Sequence, residues 1–129
     1  MKILNLIIKQ RFFDEILAGT KPKEYREIRP TMSKKYVYYV CDGKAYDDPD
    51  ALPDDGEVDV MPIEYDAIRF FVGYNKDRDS ALVEVKGATI ELFADENGND
   101  IVYEYKGKEY IAAQMVYDLG AVIEKNVKQ

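Results

Sequence analysis

The sequence predicts an α+β domain made mostly of short strands, with one or two short helices near the N-terminus. Three observations lead there. Eleven Tyr and five Phe with no Trp favour half-buried pleated surfaces. One clear helical periodicity occurs, close to the start. From residue 65 onward, short β-rich runs alternate with tight polar turns, which favours a small mixed or antiparallel β-barrel over a doubly wound sheet. The 129 residues fit one domain, 1–129, able to bury a core without metal or disulfide staples.

The elements follow in order. Lys2–Ile8 reads as a first, buried strand. Gln10–Ala18 reads as a helix, with Phe12, Phe13, Ile16 and Leu17 in one apolar stripe. Gly19 stands where a C-cap glycine belongs, and Pro22 forbids continuation. Lys23–Ile28 is a strand ended by Pro30. Thr31–Val40 is ambiguous: Thr31 can cap a short helix, whereas Tyr36–Val40 has β character, and a short helix is expected. Residues 42–59 are rich in Asp, Pro and Gly and read as an exposed loop, long enough to be an insertion at about 42–62. Tyr65–Tyr74 and Ala81–Phe93 are strands. Asn97-Gly98 marks a turn. Ile101–Tyr105 and Glu109–Ala112 form a hairpin around Lys106-Gly107-Lys108, and Met115–Ile123 closes the sheet before a fraying end.

Charge is unevenly placed. Residues 42–59 hold eight acids and one base, a net of −7, which is the net charge of the whole chain. Residues 1–35 hold nine bases against four acids, a net of +5. A basic opening is thus followed by an acidic segment. That segment is expected to be a solvated, mobile insertion; the competing expectation is that it folds across the basic residues and competes with a ligand.

Composition excludes several chemistries. The chain has no His, which removes Ser–His and Cys–His pairs and His-containing zinc sites. The one cysteine, Cys41, forms no internal disulfide, which fits a reducing, cytoplasmic setting. The acidic segment lacks the ligand spacing of a calcium loop, so no metal and no cofactor are expected. The opening MKILNLIIKQRFF superficially resembles a signal peptide, but Asn5 interrupts the apolar run and no small-residue cleavage site follows. No stretch approaches the roughly 20 apolar residues that span a bilayer, so no membrane partner is expected. A monomer is the expected state.

The informative stretch is Gly19-Thr20-Lys21-Pro22-Lys23-Glu24-Tyr25-Arg26, of the form G-x-K-x-x-E-x-R. In a strand, Glu24 and Arg26 share a face, and a carboxylate beside a guanidinium holds that planar donor array in one pose. Lys21 lies beside the helix end. One cation, one anion and one donor fork suit a phosphate together with a base edge, and Arg or Tyr side chains stack on bases.

At these residues the chain resembles the ASCH domain, a family of small barrels related to the PUA domain, in its small bacterial or phage form. The motif follows a strand and a helix of the family's pattern. Glu24–Pro30, Tyr65–Tyr74, Val83–Gly87 and Asp118–Ile123 extend the likeness over most of the chain outside residues 42–62. The resemblance implies a PUA-like barrel and binding of RNA, a nucleotide or a modified nucleoside in a groove. Lys21, Lys23, Glu24, Arg26, Arg29, Arg69 and Tyr74 are the expected ligand-binding residues.

Some members resemble amidohydrolases acting on N4-acetylcytidine, with Lys, Thr and Glu in the site. Lys21 matches the Lys, but Glu24 stands where that branch has Thr, and the later acid has no counterpart on a helix here. If the chain is an enzyme, Lys21 and Glu24 are the catalytic candidates; for a ribonuclease, Glu84 joins them. A third reading is a protein-interaction accessory domain that uses its acidic segment. Binding without catalysis is the first expectation.

Overall fold

The computed structural model describes residues 1–128. It is a mixed α+β structure, mostly strands with one α-helix. Two compact units form. Unit 1 comprises Met1–Glu24, Glu64–Ala88 and the chain from Tyr117 onward, and unit 2 comprises Tyr25–Ile63 and Thr89–Val116.

Unit 1 is built on β1 (Ile3–Ile8), α1 (Gln10–Ala18) and β6 (Ala67–Val72). Alternation along β1 buries Leu4, Leu6 and Ile8. β1 pairs parallel with β6, Ile3 opposite Ala67 through to Ile8 opposite Val72. β6 in turn pairs antiparallel with β7 (Ser80–Leu92). β2 (Lys23–Ile28) and β10 (Ala113–Asn126) complete a five-stranded sheet of order β1-β6-β7-β10-β2. α1 contributes Phe13 and Ile16 to a core with Ile68, Phe70, Val83 and Tyr117. Each such fully buried apolar side chain stabilises by about 1.5–3 kcal/mol relative to exposure.

The end of α1 decides where the motif begins. Gly19 has φ +77°, the left-handed conformation that glycine adopts without a Cβ penalty. Its N–H donates to the Ile16 carbonyl at 3.1 Å, and the Thr20 N–H donates to the Glu15 carbonyl at 3.0 Å. That pairing is a Schellman motif. The Lys21 N–H also reaches the Glu15 carbonyl, at 3.2 Å. Pro22, which has no N–H to donate, instead accepts from the Leu119 N–H at 2.9 Å, which seats the start of β2 beside β10.

Unit 2 contains a three-stranded antiparallel sheet of order β4-β3-β5, from β3 (Val37–Cys41), β4 (Lys44–Tyr46) and β5 (Val58–Pro62). It also contains a hairpin of β8 (Val102–Tyr105) and β9 (Lys108–Ile111). Both hairpin turns, Asp42-Gly43 and Lys106-Gly107, have positive φ at both residues, the twist that suits two-residue hairpins. Tyr36, Val37, Cys41, Met115 and Val116 are buried.

Three expectations need correction. Residues 42–59 are not one loop: β4, a 3-10 turn at Pro49–Ala51 and the start of β5 lie within them. Asp42-Gly43 is a turn rather than the start of a loop, and backbone pairing to β3 holds β5 although Val58 and Val60 are exposed. The helix expected in Thr31–Val40 shrinks to a 3-10 turn at Ser33–Lys35, because Val37–Cys41 is recruited into the sheet between two partners. The closing strand runs three residues further than expected, to Asn126, and the fraying expected of the last residues falls in part outside the described ones. Among the described residues the strands pair in sheets of five, three and two, and no pairing that closes a barrel is found.

Candidate functional site

Along β2, burial alternates. Glu24, Arg26 and Ile28 are the protected positions, and Lys23, Tyr25 and Glu27 the exposed ones. The shared face expected of Glu24 and Arg26 follows from this pleat, and Lys23 falls on the other side.

Lys21 and Glu24 meet. The Lys21 ammonium lies 3.6 Å from Glu24 Oε1, with side-chain exposures of 18% and 6%. The ammonium also donates to the Lys23 carbonyl at 2.8 Å and sits 5.6 Å from the centre of the Phe12 ring. Three features of the sequence produce this pose. The Schellman motif fixes the Lys21 backbone, Pro22 turns the chain, and the first inward position of β2 is Glu24. An ammonium held by a carboxylate, a carbonyl and an aromatic face is pre-oriented, and a ligand anion can replace part of that shell.

The side chains of the remaining expected residues make contacts of their own. The Lys23 ammonium pairs with Asp118 Oδ1 at 2.8 Å on the exposed side of unit 1. Gly87 and Gly120 keep that face open: a Cβ at Gly87 would touch Asp118, and one at Gly120 would overlap the Glu84 carboxylate. Arg69 lies 3.5 Å from Glu124 Oε1. Asp118 and Glu124 are six residues apart on β10, about 20 Å of strand, so Lys23 and Arg69 serve different ends of unit 1. Tyr74 is 84% exposed. It lines an open depression with Arg78, whose guanidinium stacks on Phe71 at 4.1 Å. In unit 2, Arg29 pairs with Glu27 at 2.6 Å and stacks on Tyr103 at 5.1 Å.

The sequence reading passed over a second constellation, wholly within unit 2. A cavity of about 530 Å³ is lined by residues from 30–34, 48–50 and 105–110. Two lysines there meet the acidic segment: Lys108 lies 3.0 Å from Asp50 Oδ1, and Lys34 lies 3.9 Å from Asp48 Oδ2. Asp48 Oδ1 meanwhile accepts from the Asp50 N–H at 3.0 Å, capping the 3-10 turn. The hydrogen bond to Asp50, followed by that carboxylate's charge, raises the pKa of Lys108 above its ordinary value. The only advance signal was Lys106-Gly107-Lys108, two cations flanking a turn glycine.

Cys41 is buried, and burial pushes its thiol pKa up, aided by Asp42 and Asp55. A thiol held protonated is a poor nucleophile. No group of three or more His, Cys, Asp or Glu that could hold a metal ion exists among the described residues. No helix among them is long and apolar enough to cross a membrane.

No protein-family model, curated protein or solved structure matches the chain.

Proposed function

We propose that the chain is an ASCH-like, PUA-related domain that binds RNA or a nucleotide-like ligand at Lys21 and Glu24, with Arg26 following on the same face of β2. The observation that carries this reading is the sequestered Lys21–Glu24 pair. Taking two charges out of water costs several kcal/mol per ion, and well-packed apolar residues stabilise such a position as well or better. A pair kept there at the head of a strand is therefore better explained by a ligand than by stability. Its place after β1, α1 and a left-handed Gly19 agrees with the order of the G-x-K-x-x-E-x-R motif. Lys21 supplies the charge for a phosphate or carbonyl oxygen, Glu24 holds the ammonium in place, and Arg26 offers a planar fork.

The test is binding of short RNAs and of modified nucleosides, N4-acetylcytidine included, by the wild type, Lys21→Ala and Arg26→Ala. The expected result is saturable binding by the wild type that weakens at least about tenfold in Lys21→Ala, the loss of a charge-assisted contact. Equal binding by all three proteins overturns the reading. Turnover of N4-acetylcytidine that disappears in Lys21→Ala replaces binding by hydrolysis at the same lysine.

A further inference from the structure

A feature independent of the motif lies in unit 2, where the cavity beside the acidic segment combines four properties. The first is an unsatisfied hydroxyl. Ser33 belongs to the cavity wall, is 3% exposed, and its Oγ has no hydrogen-bond partner. A buried polar group in that state has lost its water without gaining a partner, so the arrangement around Ser33 is not the best available to it.

The second property is exchangeable positive charge. Lys34 is held only loosely, since 3.9 Å exceeds hydrogen-bond range. Lys108 makes a good hydrogen bond to Asp50, but its side chain is 61% and that of Asp50 73% exposed. Exposed pairs of this kind are screened by water and ions and stabilise little. A dianion that met both lysines at once would gain more than either carboxylate provides separately.

The third property is an aromatic wall. By register, Tyr103 is opposite Tyr110 and Tyr105 opposite Lys108, so all four share one face of the β8–β9 hairpin. Tyr110 stacks on Tyr103 with centroids 5.8 Å apart and planes 24° from parallel, and Arg29 covers the Tyr103 ring. This stack stiffens the wall that Lys108 and Tyr110 give to the cavity. The fourth property is strain at the hairpin tip. Lys106, a non-glycine residue, is held at φ +49°, a conformation that L side chains rarely adopt.

We propose that this cavity binds a nucleoside 5′-monophosphate. The phosphate takes Lys34 and Lys108 and draws the Ser33 hydroxyl, covered in this structure, into its shell; the base lies along Tyr110, and Asp48 and Asp50 act as the internal competitors that it displaces. The acidic segment then serves as a built-in anion that keeps the lysines paired until a phosphate arrives. About 530 Å³ is ample for one nucleotide. A cation is the poorer occupant, since both carboxylates already face lysines and Asp48 also caps its own turn. The ligand is either a free nucleotide or the 5′-phosphorylated end of an RNA, and the two share this chemistry.

Isothermal titration of the full chain with uridine 5′-monophosphate, uridine, orthophosphate and a 5′-phosphorylated tetranucleotide tests the proposal. The expected order is nucleotide above orthophosphate, with uridine weakest; a tetranucleotide stronger than the free nucleotide identifies the RNA end as the natural ligand. Lys34→Ala and Lys108→Ala should each weaken the nucleotide about tenfold, and Ser33→Ala should weaken it about threefold. Asp50→Asn should strengthen it about threefold or more, because it removes a competitor without removing a donor. That opposite sign is the signature of displacement. The component of nucleotide binding that Lys34→Ala and Lys108→Ala weaken should persist in Lys21→Ala, which removes only binding at the motif and so separates the two sites. The proposal is overturned if neither the wild type nor Asp50→Asn binds at millimolar nucleotide. It is equally overturned if Lys21→Ala abolishes binding while Lys34→Ala and Lys108→Ala do not.

Discussion

Two lysine–carboxylate pairs in this molecule differ in a way that reverses what their distances suggest. Lys108 and Asp50 are the closer pair, at 3.0 Å, against 3.6 Å for Lys21 and Glu24. Yet the side chains of the first pair are 61% and 73% exposed, and those of the second only 18% and 6%. In water the closer pair is screened by solvent and ions, whereas the longer pair interacts through a medium of lower effective dielectric. Burial, more than separation, decides which carboxylate stays beside its lysine while a ligand binds and which one gives way to the ligand.

The largest effect expected from that contrast is at Glu24. Glu24→Ala takes the carboxylate away from a sequestered Lys21 ammonium and should cost about 3 kcal/mol, the lower end for a broken buried pair because Lys21 keeps some exposure. Urea denaturation measures it directly. Lys21→Met combined with Glu24→Leu should recover most of the loss, since the apolar pair needs no desolvation. A Glu24→Ala protein as stable as the wild type breaks the contrast at its stronger side.

A smaller effect is expected at Gly19, which sets the pose of Lys21 through the backbone alone. A Cβ there meets nothing within 4 Å, so Gly19→Ala should cost only the left-handed conformation, about 1 kcal/mol. Gly19→Asn should cost less, because Asn tolerates that region better. If ligand affinity at Lys21 falls in step with stability across these two variants, the Schellman motif is what orients the ammonium. Affinity that is unchanged in Gly19→Ala assigns the orientation to Glu24 instead.

The legibility of the two pairs in the sequence differed for a physical reason. Lys21 and Glu24 are three residues apart, and everything that joins them is local: an apolar helix stripe, a glycine stop, a proline and a strand. The bounds of α1 and β2 were readable for the same cause. The unit 2 cavity draws on three stretches separated by 14 to 55 residues, and only chain folding brings Ser33, Asp50 and Lys108 together. Lys23 is a similar case, since its partner Asp118 lies 95 residues on. The acidic segment misled by composition: Asp, Gly and Pro there read as loop, while β4 and β5 are held by backbone hydrogen bonds that side-chain pattern does not announce. Overall strand content was legible from the aromatic runs, but pairing order, and the parallel match of β1 with β6, was not.

The smallest effect belongs to the exposed pair, and its smallness is the sharpest check on the contrast. Lys108→Ala should leave the thermal midpoint at neutral pH unchanged within error, beside the large fall for Glu24→Ala. Its pH dependence has a definite sign. Because Asp50 raises the pKa of Lys108 in the folded state above the ordinary 10.5, the pair contributes below that value, and the contribution is lost as pH rises through the raised one. The gap between wild-type and Lys108→Ala melting curves should therefore be constant and within error from about pH 6 to pH 9, and shrink further only in stronger alkali. A clear loss of stability in Lys108→Ala at neutral pH, undiminished in molar salt, would mean that Asp50 and Lys108 brace unit 2. The lysine would then not be free to leave its carboxylate for a phosphate. Unchanged stability together with lost nucleotide affinity is the combination that only an exchangeable pair produces.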